Sequence, residues 1–100
     1  MKYVLALMLL TAAAPVHAQA DICKSTGDLA EVIMLNRQQG VAMSALMAVN
    51  DSQENSPLKE LITALIKAAY SVPQMSLEAN RRDMAARFRN DAEAGCYSKF

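Results

Sequence analysis

The sequence predicts an all-α protein, a small four-helix domain of orthogonal or bundle-like packing held by one disulfide. Three observations predict it. Apolar residues recur at the 3.6-residue period of a helix in three separate stretches; no stretch alternates apolar and polar residues with the period of two that a half-buried strand needs; and one cysteine lies near each end of the region that carries the periodicity.

That region begins after residue 20. Lys2 provides a basic start, Tyr3 to Ala14 an apolar run, and Pro15 precedes two small-residue patterns, Val16-His17-Ala18 and Ala18-Gln19-Ala20. These are the three parts of a secretory signal peptide, with cleavage after Ala18 or Ala20. The apolar run is too short for a membrane-spanning helix, which needs about 20 residues, so no stable membrane anchor is expected. Residues 21–100 are expected to form a single helical domain, periplasmic or secreted.

Loss of the leader takes with it Lys2 and the only histidine, His17, leaving nine basic residues against ten acidic ones. Near-neutral charge argues against nucleic acid as a partner. Without histidine the commonest general base and the commonest metal ligand are gone, and no spaced acidic loop of the calcium type replaces it. No cofactor and no metal are expected. Ser44, Ser71, Ser76 and Lys67 are potential nucleophiles, but no spacing ties any of them to a base, so the chain does not read as an enzyme.

A domain this small is marginal without a staple. Cys23 and Cys96, an even count in an oxidising compartment, are expected to form it. Redox motifs keep their cysteines two residues apart beside a helix start, whereas these lie at opposite ends of the domain.

The helices follow in order. From Ile22 to Gln38, residues Ile22, Cys23, Leu29, Ala30, Ile33 and Met34 share one face, and Gly40 is placed as a C-terminal stop. Val41 to Val49 is short and apolar nearly all round, and Asn50 to Asn55 is a polar turn-rich loop. Ser56 and Pro57 open a third helix as N-cap and first-turn proline, with a face of Leu58, Leu61, Ile62, Leu65, Ile66, Ala69 and Tyr70, and Pro73 closes it. Ser76 is expected to cap a fourth helix running to about Tyr97, with Leu77, Met84, Ala85, Phe88, Ala92 and Cys96 inward. Along it, Glu78–Arg82, Asp83–Arg87, Arg87–Asp91 and Arg89–Glu93 are spaced for ion pairs on a solvated face.

A helix apolar on all sides is usually a buried one, which makes the second helix the expected centre of the core. Met43 and Met47 should then resist peroxide better than Met75. The alternative is that Met43 and Met47 form an adaptable surface for a partner. Arg37 and Arg81 interrupt apolar stripes, and must either reach water or meet acceptors such as the Tyr70 hydroxyl, helix-end carbonyls or Asp91. Were they to converge, they would make a positive cleft suited to an acidic side chain.

The stretch "IMLNRQQGVAMSALM", residues 33–47, carries an Ile-Met pair, Arg37-Gln38, Gly40 and a methionine-rich segment, followed by Ala69-Tyr70 before Val72-Pro73. With a signal peptide and one cysteine near each end, it resembles a class of small exported two-cysteine helical proteins of Gram-negative bacteria and their phages. The resemblance implies export and a helical fold, and no activity.

Small size, a disulfide and the lack of a catalytic constellation point to a non-enzymatic periplasmic protein that binds another protein, as an inhibitor, immunity or assembly factor. A holdase-like chaperone is the alternative.

Overall fold

The computed structural model describes residues 2–100, with side chains from residue 20 onward. The expected signal peptide, Ala20 aside, therefore falls on side chains outside those described. Among the described residues four helices are formed, α1 (Lys2–Gln38), α2 (Met43–Asp51), α3 (Pro57–Tyr70) and α4 (Glu78–Tyr97). The domain is all-α and carries one disulfide, Cys23–Cys96, with the two Cα atoms 5.4 Å apart. No helix among the described residues is long and apolar enough to cross a membrane.

Each helix boundary has a local cause. Gly40, at φ +84°, reverses the chain after α1 in the left-handed region that L side chains avoid, and a Cβ there would also meet Gln74 Nε2 at 3.3 Å. Ser56 caps α3 as expected, its hydroxyl accepting from the Lys59 N–H, with Pro57 in the first turn. The start of α4 corrects an expectation. Its N-cap is Leu77, which makes no side-chain cap, rather than Ser76. Asn50 and Asp51, expected in the loop, complete the last turn of α2.

The centre of the core is α1, and this overturns the expectation for α2. One stripe of α1 runs through Cys23, Ala30, Ile33 and Met34, all buried, and also buries Thr26 and Gln38. It packs most extensively on α4 and next on α3, while α2 rests mainly on α3. The buried apolar cluster joins Ala30, Ile33 and Met34 to Leu65, Ile66 and Ala69 of α3 and Ala85 of α4, and takes nothing fully from α2. Met43, Leu46 and Met47 are half-buried against its edge, whereas Ser44, Ala45, Ala48 and Val49 are exposed. The physical reason lies in side-chain size. Three of the four exposed positions are serine or alanine, which lose little by facing water, so an apolar sequence here does not compel burial.

The oxidation order changes accordingly. Met43, Met47 and Met75 are all half-buried, and Met34 is fully buried. Peptide mapping after mild peroxide is expected to find the first three oxidised at comparable rates and Met34 last. Protection of Met43 and Met47 alongside Met34 would restore α2 to the core.

Candidate functional site

Two places on the molecule gather polar groups beside apolar surface. The first is the connector between α3 and α4, which is tied down by side chains from two helices, α1 and α4. Gln38, at 0% exposure, donates from Nε2 to the Pro73 carbonyl at 2.9 Å and accepts at Oε1 from the Met75 N–H at 2.7 Å. Gln74 Nε2 donates back to the Gln38 carbonyl at 3.0 Å. Arg37 Nε donates to the Val72 carbonyl at 3.1 Å, and Arg81 Nε to the Met75 carbonyl at 2.7 Å.

Both arginines are half-buried, and acceptors meet them as chain carbonyls; Asp91 takes no part. Tyr70 presents its ring face to Arg37, with the guanidinium carbon 5.2 Å from the centroid, and donates its hydroxyl proton to the Val41 carbonyl. Arg37 and Arg81 thus grip the connector three residues apart. A shallow recess of about 240 Å³ next to it is lined by Leu35, Gln38, Gln39, Glu78, Arg81 and Arg82, and Arg37 does not line it. Arg82 is held by Glu78 at 2.8 Å, and hydrogen bonding to Arg82 followed by its charge holds the Glu78 carboxyl below the usual carboxylate range.

A hydrogen bond from a charged donor to a carbonyl is worth more than a neutral one, but partial exposure reduces it. Arg37→Met and Arg81→Met are therefore each expected to cost about 1–2 kcal/mol in urea denaturation. Because both clamp one short segment, the double variant should depart from the sum of the singles. Losses below about 0.5 kcal/mol would mean that the arginines only cover the surface.

The second place is a cleft of about 710 Å³ between α2 and α3. Leu46 and Val49 of α2 and Leu58 and Ile62 of α3 form its walls, with Ile33 and Ile66 among the deeper lining. Val49 is 66% exposed and Leu58 55%. Exposed large apolar side chains scattered singly are ordinary; two that rim one apolar cleft are not. Gln53, Glu54 and Ser56 sit exposed at the mouth. The loop behind them is organised by Lys59, whose ammonium donates to the Asp51 and Gln53 carbonyls and to Asn55 Oδ1, each at 3.3 Å.

Asn50, in the last turn of α2, lines this cleft and is 3% exposed. Its Nδ2 donates to the Lys59 carbonyl at 3.1 Å and to Thr63 Oγ1 at 2.7 Å, tying α2 to α3. Thr63 in turn donates to the same Lys59 carbonyl at 2.9 Å. This triangle decides which end of the amide is which, because the opposite orientation would set oxygen against the Lys59 carbonyl. Asn50 Oδ1 is left without a partner, the only such buried side-chain atom among the described residues. An orphaned buried acceptor costs about 1–3 kcal/mol.

Of the five residues singled out in the sequence for partner contact, Arg37, Tyr70 and Arg81 belong to the connector, and Met43 and Met47 border the apolar edge beside α2. The cleft residues Asn50, Leu58 and Lys59 were not among them. The signal is faint: Asn50 follows an apolar run as its only amide, and Leu58 falls by spacing on the apolar face of α3. Elsewhere, Arg89 pairs with Glu93 as expected but also reaches Asp28 at 2.9 Å and Glu31 at 2.8 Å on α1. Hydrogen bonds to Glu31 first and Glu93 second raise the Arg89 pKa above its ordinary value. Arg87 pairs with Asp83 rather than with Asp91.

No protein-family model matches the chain, and neither does any curated protein or any solved structure.

Proposed function

We propose that this is a non-enzymatic exported protein that binds another protein in the periplasm, as an inhibitor, immunity or assembly factor, and that the open α2–α3 face is its contact surface. The observation that carries the reading is the apolar cleft itself: Val49 and Leu58 stand exposed at it, above the half-buried Leu46 and Ile62, while α1 buries its own stripe. A rigid, stapled domain offering an apolar hollow with a polar rim has the anatomy of a protein interface. Export rests on the signal-peptide pattern and agrees with a disulfide. The non-enzymatic part rests on the sequence of residues 21–100, which lacks histidine and links no nucleophile to a base.

The test is photo-crosslinking in intact cells, with the reactive side chain at Val49, at Leu58 or, as a control, at the exposed Asp91 of α4. A discrete adduct is expected from Val49 and Leu58 and none from Asp91. Adducts from Asp91 alone, or none at the cleft, would remove the reading. The half-exposed methionines of α2 also favour a holdase-like chaperone. Suppression of aggregation of several unrelated unfolding proteins, together with binding of a hydrophobic dye, would select that reading instead.

A further inference from the structure

We infer that Lys59 is the positioning residue of the α2–α3 cleft: the loop that forms the cleft mouth is wound around this one side chain, and its ammonium holds the mouth in the shape the partner meets. This rests on the protein-binding reading above and adds to it the residue that sets the contact surface.

Six hydrogen bonds converge on Lys59. Its N–H donates to the Ser56 hydroxyl at 3.2 Å, and its carbonyl accepts from Asn50 Nδ2 and Thr63 Oγ1, so the main chain of this residue fixes both ends of the loop. The ammonium spans what lies between, through the Asp51 and Gln53 carbonyls and Asn55 Oδ1. Little else holds the middle. The Ser52 and Gln53 N–H groups still close the last turn of α2, on the Ala48 and Asn50 carbonyls, but Glu54 and Asn55 take part in no main-chain hydrogen bond among the described residues. Residues 51–56 are all exposed and none is apolar, so burial does not order them either. Asp51 and Glu54 lie in the same loop, and neither forms an ion pair among the described residues. The ammonium therefore ties points of the loop together rather than neutralising a carboxylate.

The order of this loop bears on binding because the loop is the mouth. Gln53, Glu54 and Ser56 line the cleft together with Val49 and Leu58. The main-chain N–H groups of Glu54, Ser56 and Leu58 have no acceptor within the described chain. Held still, they are donors beside an apolar wall, ready for carbonyl or carboxylate oxygens that flank the apolar side chains of a partner. A loop that had first to be ordered would subtract that entropy from the affinity.

The experiment compares the purified, disulfide-bonded wild type with two variants. Lys59→Met keeps the stem and loses the three donors, and Lys67→Met removes the same charge from an exposed position further along α3. Backbone order parameters are measured by nitrogen relaxation, and both variants are carried into the photo-crosslinking with the reactive side chain at Val49. In Lys59→Met the order parameters of Gln53, Glu54 and Asn55 are expected to fall from about 0.85 to below about 0.6, while those of Leu65, Ile66 and Ala69 stay unchanged. The Val49 adduct is expected to weaken about fivefold, and Lys67→Met to match the wild type in both measurements. A loop as rigid in Lys59→Met as in the wild type would overturn the inference, because something other than the ammonium then holds the mouth. A mobile loop with an undiminished adduct would overturn it as well, and would leave the protein-binding reading standing. Loss of order throughout α3 would reduce Lys59 to a structural role, and an equal loss of adduct in Lys67→Met would assign the effect to net charge; either result removes the inference. Absence of the adduct in the wild type is a separate outcome, in which the protein-binding reading itself falls and takes the inference with it.

Discussion

Removing the disulfide with Cys23→Ala and Cys96→Ala together is expected to cost about 4 kcal/mol, the chain-entropy value for a closed loop of this length. The two cysteines are 73 positions apart. That loss is most of the stability of a marginal small domain, so the variant should be near its unfolding midpoint at body temperature. The architecture gives a second reason for a large effect. The extensive contact between α1 and α4 contains one fully buried side chain from α4, Ala85, with Met84, Phe88 and Ala92 only half-buried. What else crosses between these helices is the Arg89 cluster with Asp28 and Glu31, where exposure limits the gain. The bridge joins α1 to the last turn of α4, at Cys96, and so fixes the C-terminal end of the weakly buried α4 to α1. Urea denaturation of the oxidised protein, the double variant and the wild type under reductant should show the second and third losing stability equally. A loss below about 1 kcal/mol in both would mean that the helix faces suffice alone.

The Cys23–Cys96 pair was legible because a chain with two cysteines allows one pairing. The helices were legible because periodicity reports which residues share a face, and it placed Cys23, Ala30, Ile33 and Met34 correctly on the stripe of α1. Periodicity says nothing about which helix is central. In α2 it reads a continuous apolar run whose average hydrophobicity suggests burial, but side-chain size decides the outcome: Ser44, Ala45 and Ala48 face water at little cost. The same blindness extends to polar residues on apolar stripes. Asn50 and Gln38 are buried because backbone groups elsewhere in the chain need them, at Lys59 for one and at Pro73 and Met75 for the other. Those partners are set by tertiary packing, nine and about thirty-five positions away, and no local pattern encodes them. Arg89 is a similar case. Its pair with Glu93 follows from helix spacing, and its contacts with Asp28 and Glu31 follow only from how α4 lies on α1.

Gln38→Leu is expected to cost about 3 kcal/mol, although it places an apolar side chain of similar length at a fully buried position in contact with the core. The cost comes from what the side chain leaves behind. The Pro73 carbonyl and the Met75 N–H each lose their partner, at about 1–3 kcal/mol apiece when buried, and the gain from one more apolar group offsets only part of it. Gln38→Glu separates the two ends of the amide. The carboxyl can still accept from the Met75 N–H, but it meets the Pro73 carbonyl with a proton only when protonated. Burial and the facing carbonyl disfavour the charged form, so the folded-state pKa of the introduced group lies above the ordinary value of about 4.3. A pKa raised on folding gives stability that is complete below the unfolded value and is lost as pH rises through the folded one. The Gln38→Glu protein should accordingly approach wild-type stability near pH 4 and fall well below it at pH 8, whereas the deficit of Gln38→Leu should be the same at both. If the two variants show the same pH dependence, Gln38 does not hold the connector through both ends of its amide. In that case the grip on the α3–α4 segment belongs to Arg37 and Arg81, through their bonds to Val72 and Met75.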